Sequence, residues 1–258
     1  MSLHAVVDGP TTAPVVVLGP SLGTTTAMWE PQIAALAARF RVVRYDHPGH
    51  GGSPTDPAPR TIADLGARVL SLLDELGIER VSYIGLSLGG MVGMWLAANA
   101  PQRIDRLALL CTSARLGPPE YWHRRAAAVT ANGMGAVVDS VPVRWFTAPF
   151  PARHPDVYER YRAMLRGISP DGYAACCGAI ATMDLRGDLA RIPAATLVIA
   201  GADDEAIPTT HAVAIADAIP GSRLEVVADA AHLANVEQPA RVGELLLDHL
   251  HDSAEETA

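Results

Sequence analysis

A mostly parallel sheet flanked by helices is the α/β fold that this sequence predicts, on three observations. Short β-branched runs alternate with Ala/Leu-rich stretches over most of the chain, the order of a doubly wound sheet. Most of these runs are nearly continuous in apolar residues rather than alternating, as strands covered by helices on both faces are. The 258 residues, 49% of them hydrophobic, suffice for one large core without covalent staples.

Residues 3–8 are expected to form an antiparallel hairpin strand ahead of the parallel part. Strands follow at 15–18, 41–45, 81–84, 106–110, 196–199 and 223–227, with helices near 30–39, 62–76, 88–99, 209–218 and 236–250. Thr61-x-x-Asp64 has the form of a capping box, and Gly77 suits the position just past a helix end. The rhythm breaks between 117 and 186, where prolines and aromatics replace strands and eight arginines face six acids. That stretch reads as a helical cap inserted into a core of 1–116 and 187–258. The chain closes on an acidic tail after His251.

Composition narrows the chemistry. The net charge of −8 argues against nonspecific nucleic-acid binding. All 20 basic residues are arginine, which excludes Schiff-base lysines, P-loop lysines and Ser/Lys dyads. Cys111, Cys176 and Cys177 form neither a disulfide framework nor a zinc pattern and read as buried, reduced thiols. No apolar run reaches membrane-spanning length, and Met1-Ser-Leu-His lacks a signal-type start. A soluble, cytoplasmic protein without metal or other cofactor is expected, and the oligomeric state is left open.

One motif carries a reaction type. Gly85-Leu-Ser87-Leu-Gly89 follows a strand and opens a helix, the setting in which G-x-S-x-G is a nucleophile elbow. The helix amides and dipole there favour a developing negative charge. A serine hydroxyl needs a base, and the base an orienting acid. Gly201-Ala-Asp-Asp204 lies just beyond a strand's carboxyl end, where open α/β sheets build their sites, and spacing leaves Asp203 and Asp204 both open. Of the nine histidines, His232 lies between the last strand and the C-terminal helix. His47 and His50 occupy the turn after 41–45, where loop hydrogen bonding is the simpler role. An oxyanion hole needs two backbone donors. One is expected from Leu88. The other falls to Ser21 or Leu22 in Gly19-Pro-Ser-Leu-Gly23, because Pro20 has no N–H.

Taken together, the chain resembles the α/β-hydrolase superfamily over nearly its whole length. Ser21–Trp29, Arg41–Asp46, Gly49-His-Gly51, Ala174–Cys177, Asp184–Asp188 and Ala231–Pro239 are similar to the 3-oxoadipate enol-lactonases, bacterial enzymes of aromatic degradation. The resemblance implies an α/β-hydrolase fold with Ser87 as nucleophile and His232 as base. It favours Asp204 as the acid, through Gly201-x-x-Asp204 ahead of Pro208, and Leu22 as the second oxyanion donor. One departure is His47-Pro48, where such enzymes usually carry Thr or Ser followed by Arg. The implied substrate is a small anionic lactone, so an acidic protein needs a local cation. Arg125 or Arg144 is the expected partner of its carboxylate, with Trp122 and Trp145 lining the pocket or simply packing. The competing expectations are another esterase, lactonase or cofactor-free perhydrolase, or a ligand receptor on the same fold.

Overall fold

The computed structural model describes residues 2–56 and 58–251; the acidic tail after His251 lies outside them. Seven strands form one sheet: β1 (Ala5–Asp8), β2 (Val15–Gly19), β3 (Arg41–Tyr45), β4 (Val81–Leu86), β5 (Ile104–Leu110), β6 (Ala195–Gly201) and β7 (Arg223–Val227). Their order across the sheet is β1-β3-β2-β4-β5-β6-β7, with every pairing parallel except β1 with β3. The expected hairpin is therefore corrected. Both edges of β2 are hydrogen-bonded by parallel neighbours, β3 and β4, so the first strand has to pair with the open edge of β3.

Flanking the sheet are α1 (Glu30–Ala37), α2 (Ile62–Glu75) and α3 (Leu88–Asn99), then α8 (Thr209–Ala218), α9 (Ala234–Glu237) and α10 (Pro239–His251). The central strands are apolar because helices cover both faces. Val16, Val17, Leu18, Leu107 and Leu197 are each fully buried. The Thr61 hydroxyl accepts from the Asp64 amide, and Asp64 accepts from the Thr61 amide, which makes the expected capping box. Gly77 follows α2 with φ +66°. The final helix differs from expectation: Gln238 interrupts it at φ −124°, ψ 59°. The ring of Pro239 disfavours helical backbone in the residue before it, while Pro239 itself suits the first turn of α10.

Between β5 and β6 lie α4 (Pro119–Asn132), α5 (Phe150–Arg153), α6 (Pro155–Arg166) and α7 (Pro170–Ala181), without a strand among them. α4 and α7 pack on each other. Cys111, Cys176 and Cys177 are free and buried, and burial pushes all three thiols up. Among the described residues no helix is long and apolar enough to cross a membrane.

Candidate active site

The carboxyl ends of β2, β4 and β6, and the turn after β7, converge with α4 on a cavity of about 700 Å³. Ser87 sits between β4 and α3 with φ 55° and ψ −114°, backbone angles that an L-residue rarely adopts. Tertiary bonds hold it there. Its amide donates to the Leu110 carbonyl at 2.9 Å, and its carbonyl accepts from the Thr112 hydroxyl at 2.7 Å. The two glycines of the motif allow the turn to close. A Cβ on Gly85 would stand 2.3 Å from the Gly89 carbonyl oxygen, and one on Gly89 would stand 2.1 Å from that of Gly19. These obstacles are backbone, which cannot swing aside. Gly89→Ala is therefore expected to lower stability by about 2–3 kcal/mol, read as a melting temperature lower by roughly 5–10 °C. Gly178→Ala in α7, where a Cβ meets nothing within 4 Å, should be neutral or stabilising by up to about 1 kcal/mol. Equal melting temperatures for the two variants would refute the close-approach account.

The structure separates the two acids that spacing left open. Asp204 is buried while Asp203 is exposed. The Asp204 carboxylate accepts from His232 Nδ1 at 2.9 Å on one oxygen. On the other it accepts the amides of Ala206 at 2.8 Å and Ile207 at 2.9 Å. With Nδ1–H directed to the acid, the lone pair of neutral His232 lies on Nε2, as a proton acceptor for a serine requires. His232 and Ser87 line the same cavity.

Both amides beside His232 are tied down. Leu233 N–H donates to the Trp145 carbonyl at 2.9 Å. Ala231 N–H donates to Glu237 Oε2 at 2.7 Å, and Glu237 Oε1 accepts from the amide and hydroxyl of Thr147 at 2.9 and 2.7 Å. Sequence reasoning missed Glu237 and Thr147, since no local pattern links positions 90 residues apart.

The candidate oxyanion donors come from two loops. Leu88 opens α3, and the leading amides of a helix have no partner within it. In the loop after β2, Ser21 N–H contacts Met28 Sδ at 3.5 Å and Gly23 N–H donates to His50 Nε2 at 3.1 Å. Those amides are engaged, which leaves Leu22, a cavity-lining residue, as the loop's candidate donor.

All four residues named from the helical segment line the cavity: Trp122, Arg125, Arg144 and Trp145. Trp122 Nε1 donates to the Leu116 carbonyl at 3.1 Å. Arg125 lies over the rings of Trp122 and Tyr173, 5.4 and 5.2 Å from their centroids. It donates to the Tyr173 hydroxyl, and its Nε is buried without a hydrogen-bond partner. Arg144 donates to the Glu205 carbonyl at 2.8 Å and the Tyr121 hydroxyl at 3.2 Å. Among the described residues neither arginine makes an ion pair, whereas Arg162 and Arg186 do. Tyr121 and Arg124 line the cavity too. Their helical spacing with Arg125 and Ala128 is the signal that could have found them.

A shielded serine, an imidazole oriented by a buried carboxylate, two candidate backbone donors and unpaired guanidiniums can together attack and hold an acyl carbon. The sequence family described as the alpha/beta hydrolase fold matches residues 14–239. The chain is 37% identical to 3-oxoadipate enol-lactonase 2 of Acinetobacter baylyi (strain ATCC 33305 / BD413 / ADP1), covering 93% of this chain and 89% of that one. It is 32% identical to RutD of Caulobacter sp. (strain K31), covering 97% and 96%. The crystal structure of the enol-lactonase from Burkholderia xenovorans LB400 superposes with a TM-score of 0.94 at 42% identity, covering 96% of each chain. By sequence and by fold, the chain belongs to the alpha/beta hydrolase family.

Proposed function

We propose that the protein is a serine hydrolase that opens a small, carboxylate-bearing enol-lactone, that of 3-oxoadipate, through an acyl-enzyme on Ser87. The observation that carries this reading is the coexistence in one cavity of Ser87, His232 and the guanidiniums of Arg124, Arg125 and Arg144, none of which makes an ion pair among the described residues. The likeness to enol-lactonases at 37% and 42% identity supports it. Arg125 is half-buried, with its Nε shielded and without a partner, and a partly desolvated cation is costly to keep unpaired. The faces of Trp122 and Tyr173 offset part of that cost for Arg125, and a substrate carboxylate would complete its shell.

His232 Nε2 takes the hydroxyl proton as Ser87 Oγ bonds to the lactone carbonyl carbon, while the Leu22 and Leu88 amides receive the oxyanion. Collapse of the tetrahedral adduct breaks the ring C–O bond, and His232 returns its proton to the departing enol oxygen. The enol tautomerises to the ketone. Water, deprotonated by His232, then attacks the acyl carbon; the bond to Ser87 Oγ breaks, His232 returns its proton to that oxygen, and 3-oxoadipate leaves. In this reading the helical segment 117–186 caps the site and supplies the carboxylate partner.

Arg125→Gln should lower kcat/KM for the anionic enol-lactone by about 10- to 150-fold, the worth of a charge-assisted contact. It should change turnover of neutral p-nitrophenyl acetate far less. Arg125→Lys should rescue poorly if the contact is a planar fork. Arg144→Gln should discriminate less, because Glu205 and Tyr121 already hold that side chain. Parallel kinetics on the two substrates check this. Equal loss on both substrates would mean a packing defect, and wild-type kinetics on both substrates in both variants would favour a general esterase.

A further inference from the structure

The departure at His47-Pro48 has a structural counterpart. His47 and His50 are buried, 1% and 0% exposed, and neither lines the cavity. They stand behind the loop that carries Leu22. His47 Nε2 lies 2.9 Å from the Pro20 carbonyl oxygen, which can only accept, so the ring donates. The same oxygen accepts from the Gly89 amide at 3.0 Å. One carbonyl thus joins the loop after β2 to the first turn of α3, where Leu88 lies. Beyond Leu22, the Gly23 amide donates to His50 Nε2 at 3.1 Å, and His50 Nδ1 lies 3.1 Å from the Pro48 carbonyl oxygen. These two contacts fit a single tautomer, with the proton on Nδ1. Tyr173 backs the His50 ring at 6.5 Å between centroids, nearly parallel to it. Burial lowers both rings, His47 to about 3 and His50 to about 4, so both are neutral near pH 7.

We infer that His47 and His50 are positioning residues that clamp the Ser21-Leu22 segment from both sides and fix the Leu22 amide relative to that of Leu88. The inference rests on the serine-hydrolase reading above, in which those two amides receive the oxyanion. His47 binds through the carbonyl before the segment and His50 through the amide after it. A histidine that served packing alone would not need its ring nitrogens aimed at these two backbone groups.

The test compares wild type, His47→Leu and His47→Gln with p-nitrophenyl acetate as substrate and phenylboronic acid as a tetrahedral-adduct probe. Thermal melts accompany the kinetics. His47→Leu removes the donor and is expected to lower kcat by about 10- to 100-fold, part of the cost of losing an oxyanion donor outright. KM should change little, and affinity for the boronic acid should fall in parallel with kcat/KM. His47→Gln, whose amide can still donate to Pro20, should recover most of both. His50→Leu reads the other half of the clamp by the same measurements, so an unfolded His47→Leu would not close the question. A folded His47→Leu with wild-type kcat and boronate affinity overturns the clamp, as does a His47→Gln as impaired as His47→Leu. A wild-type protein that neither turns over the ester nor binds the boronate overturns the hydrolase reading, and the clamp with it.

Discussion

Ser87→Ala is expected to lower kcat by about 10⁶-fold on a simple ester, the scale on which removal of a triad nucleophile acts. On the enol-lactone the measured drop should be smaller, because an enol is a good leaving group and the uncatalysed background is higher. The fold should persist. The bonds that hold position 87 at φ 55° come from its backbone, through Leu110 and Thr112, and alanine keeps both. A wild-type melt combined with lost activity is therefore the expected result. Substantial activity remaining on the ester would mean that another group attacks, and labelling of wild type but not Ser87→Ala by a fluorophosphonate would identify the nucleophile directly.

Asp204→Asn carries the second-largest expected effect, about 10⁴-fold in kcat. The native carboxylate meets N–H donors on both oxygens: His232 Nδ1 on one, Ala206 and Ile207 on the other. Asparagine can present an oxygen to only one of these sides. If its oxygen keeps the two amides, its NH₂ faces Nδ1, which must then become an acceptor. The proton moves to Nε2, and the imidazole can no longer take the serine's proton. If its oxygen keeps Nδ1, the NH₂ opposes two amide donors and the turn is destabilised. Asp203→Asn touches neither arrangement, since that side chain is exposed, and should leave kcat nearly unchanged. Paired kinetics and melts of the two variants check the assignment, and the reverse pattern would exchange the roles of the two acids.

Much of the site is legible because its chemistry is written locally. The elbow is a five-residue motif between a strand and a helix, and His232 is set apart by its place after the last strand. The choice between Asp203 and Asp204 turns on side-chain direction. Asp204 turns inward in an Asx-type arrangement with amides two and three residues ahead, a local preference that spacing alone does not rank against its neighbour. The arginines stand out through the charge of the helical segment. Their lack of acidic partners is not legible, because pairing depends on which helices meet.

By itself the sequence determined the seven strands, the helices between them outside residues 117–186, the parallel character of most of the sheet and the strand-to-helix turn at Ser87. Each of these follows from periodicity, turn chemistry or motif context within a few residues. Tertiary structure alone decided that the first strand pairs with β3 rather than β2. It also decided that Glu237 and Thr147 tie the histidine loop to the helical segment, and that His47 and His50 hold the loop carrying Leu22. Apart from Glu237 with Ala231, six positions apart, these contacts join residues 27 to 90 positions apart. Their physical basis is shared: a buried backbone N–H or C=O must find a partner inside the fold, and which side chain arrives to meet it is settled by packing.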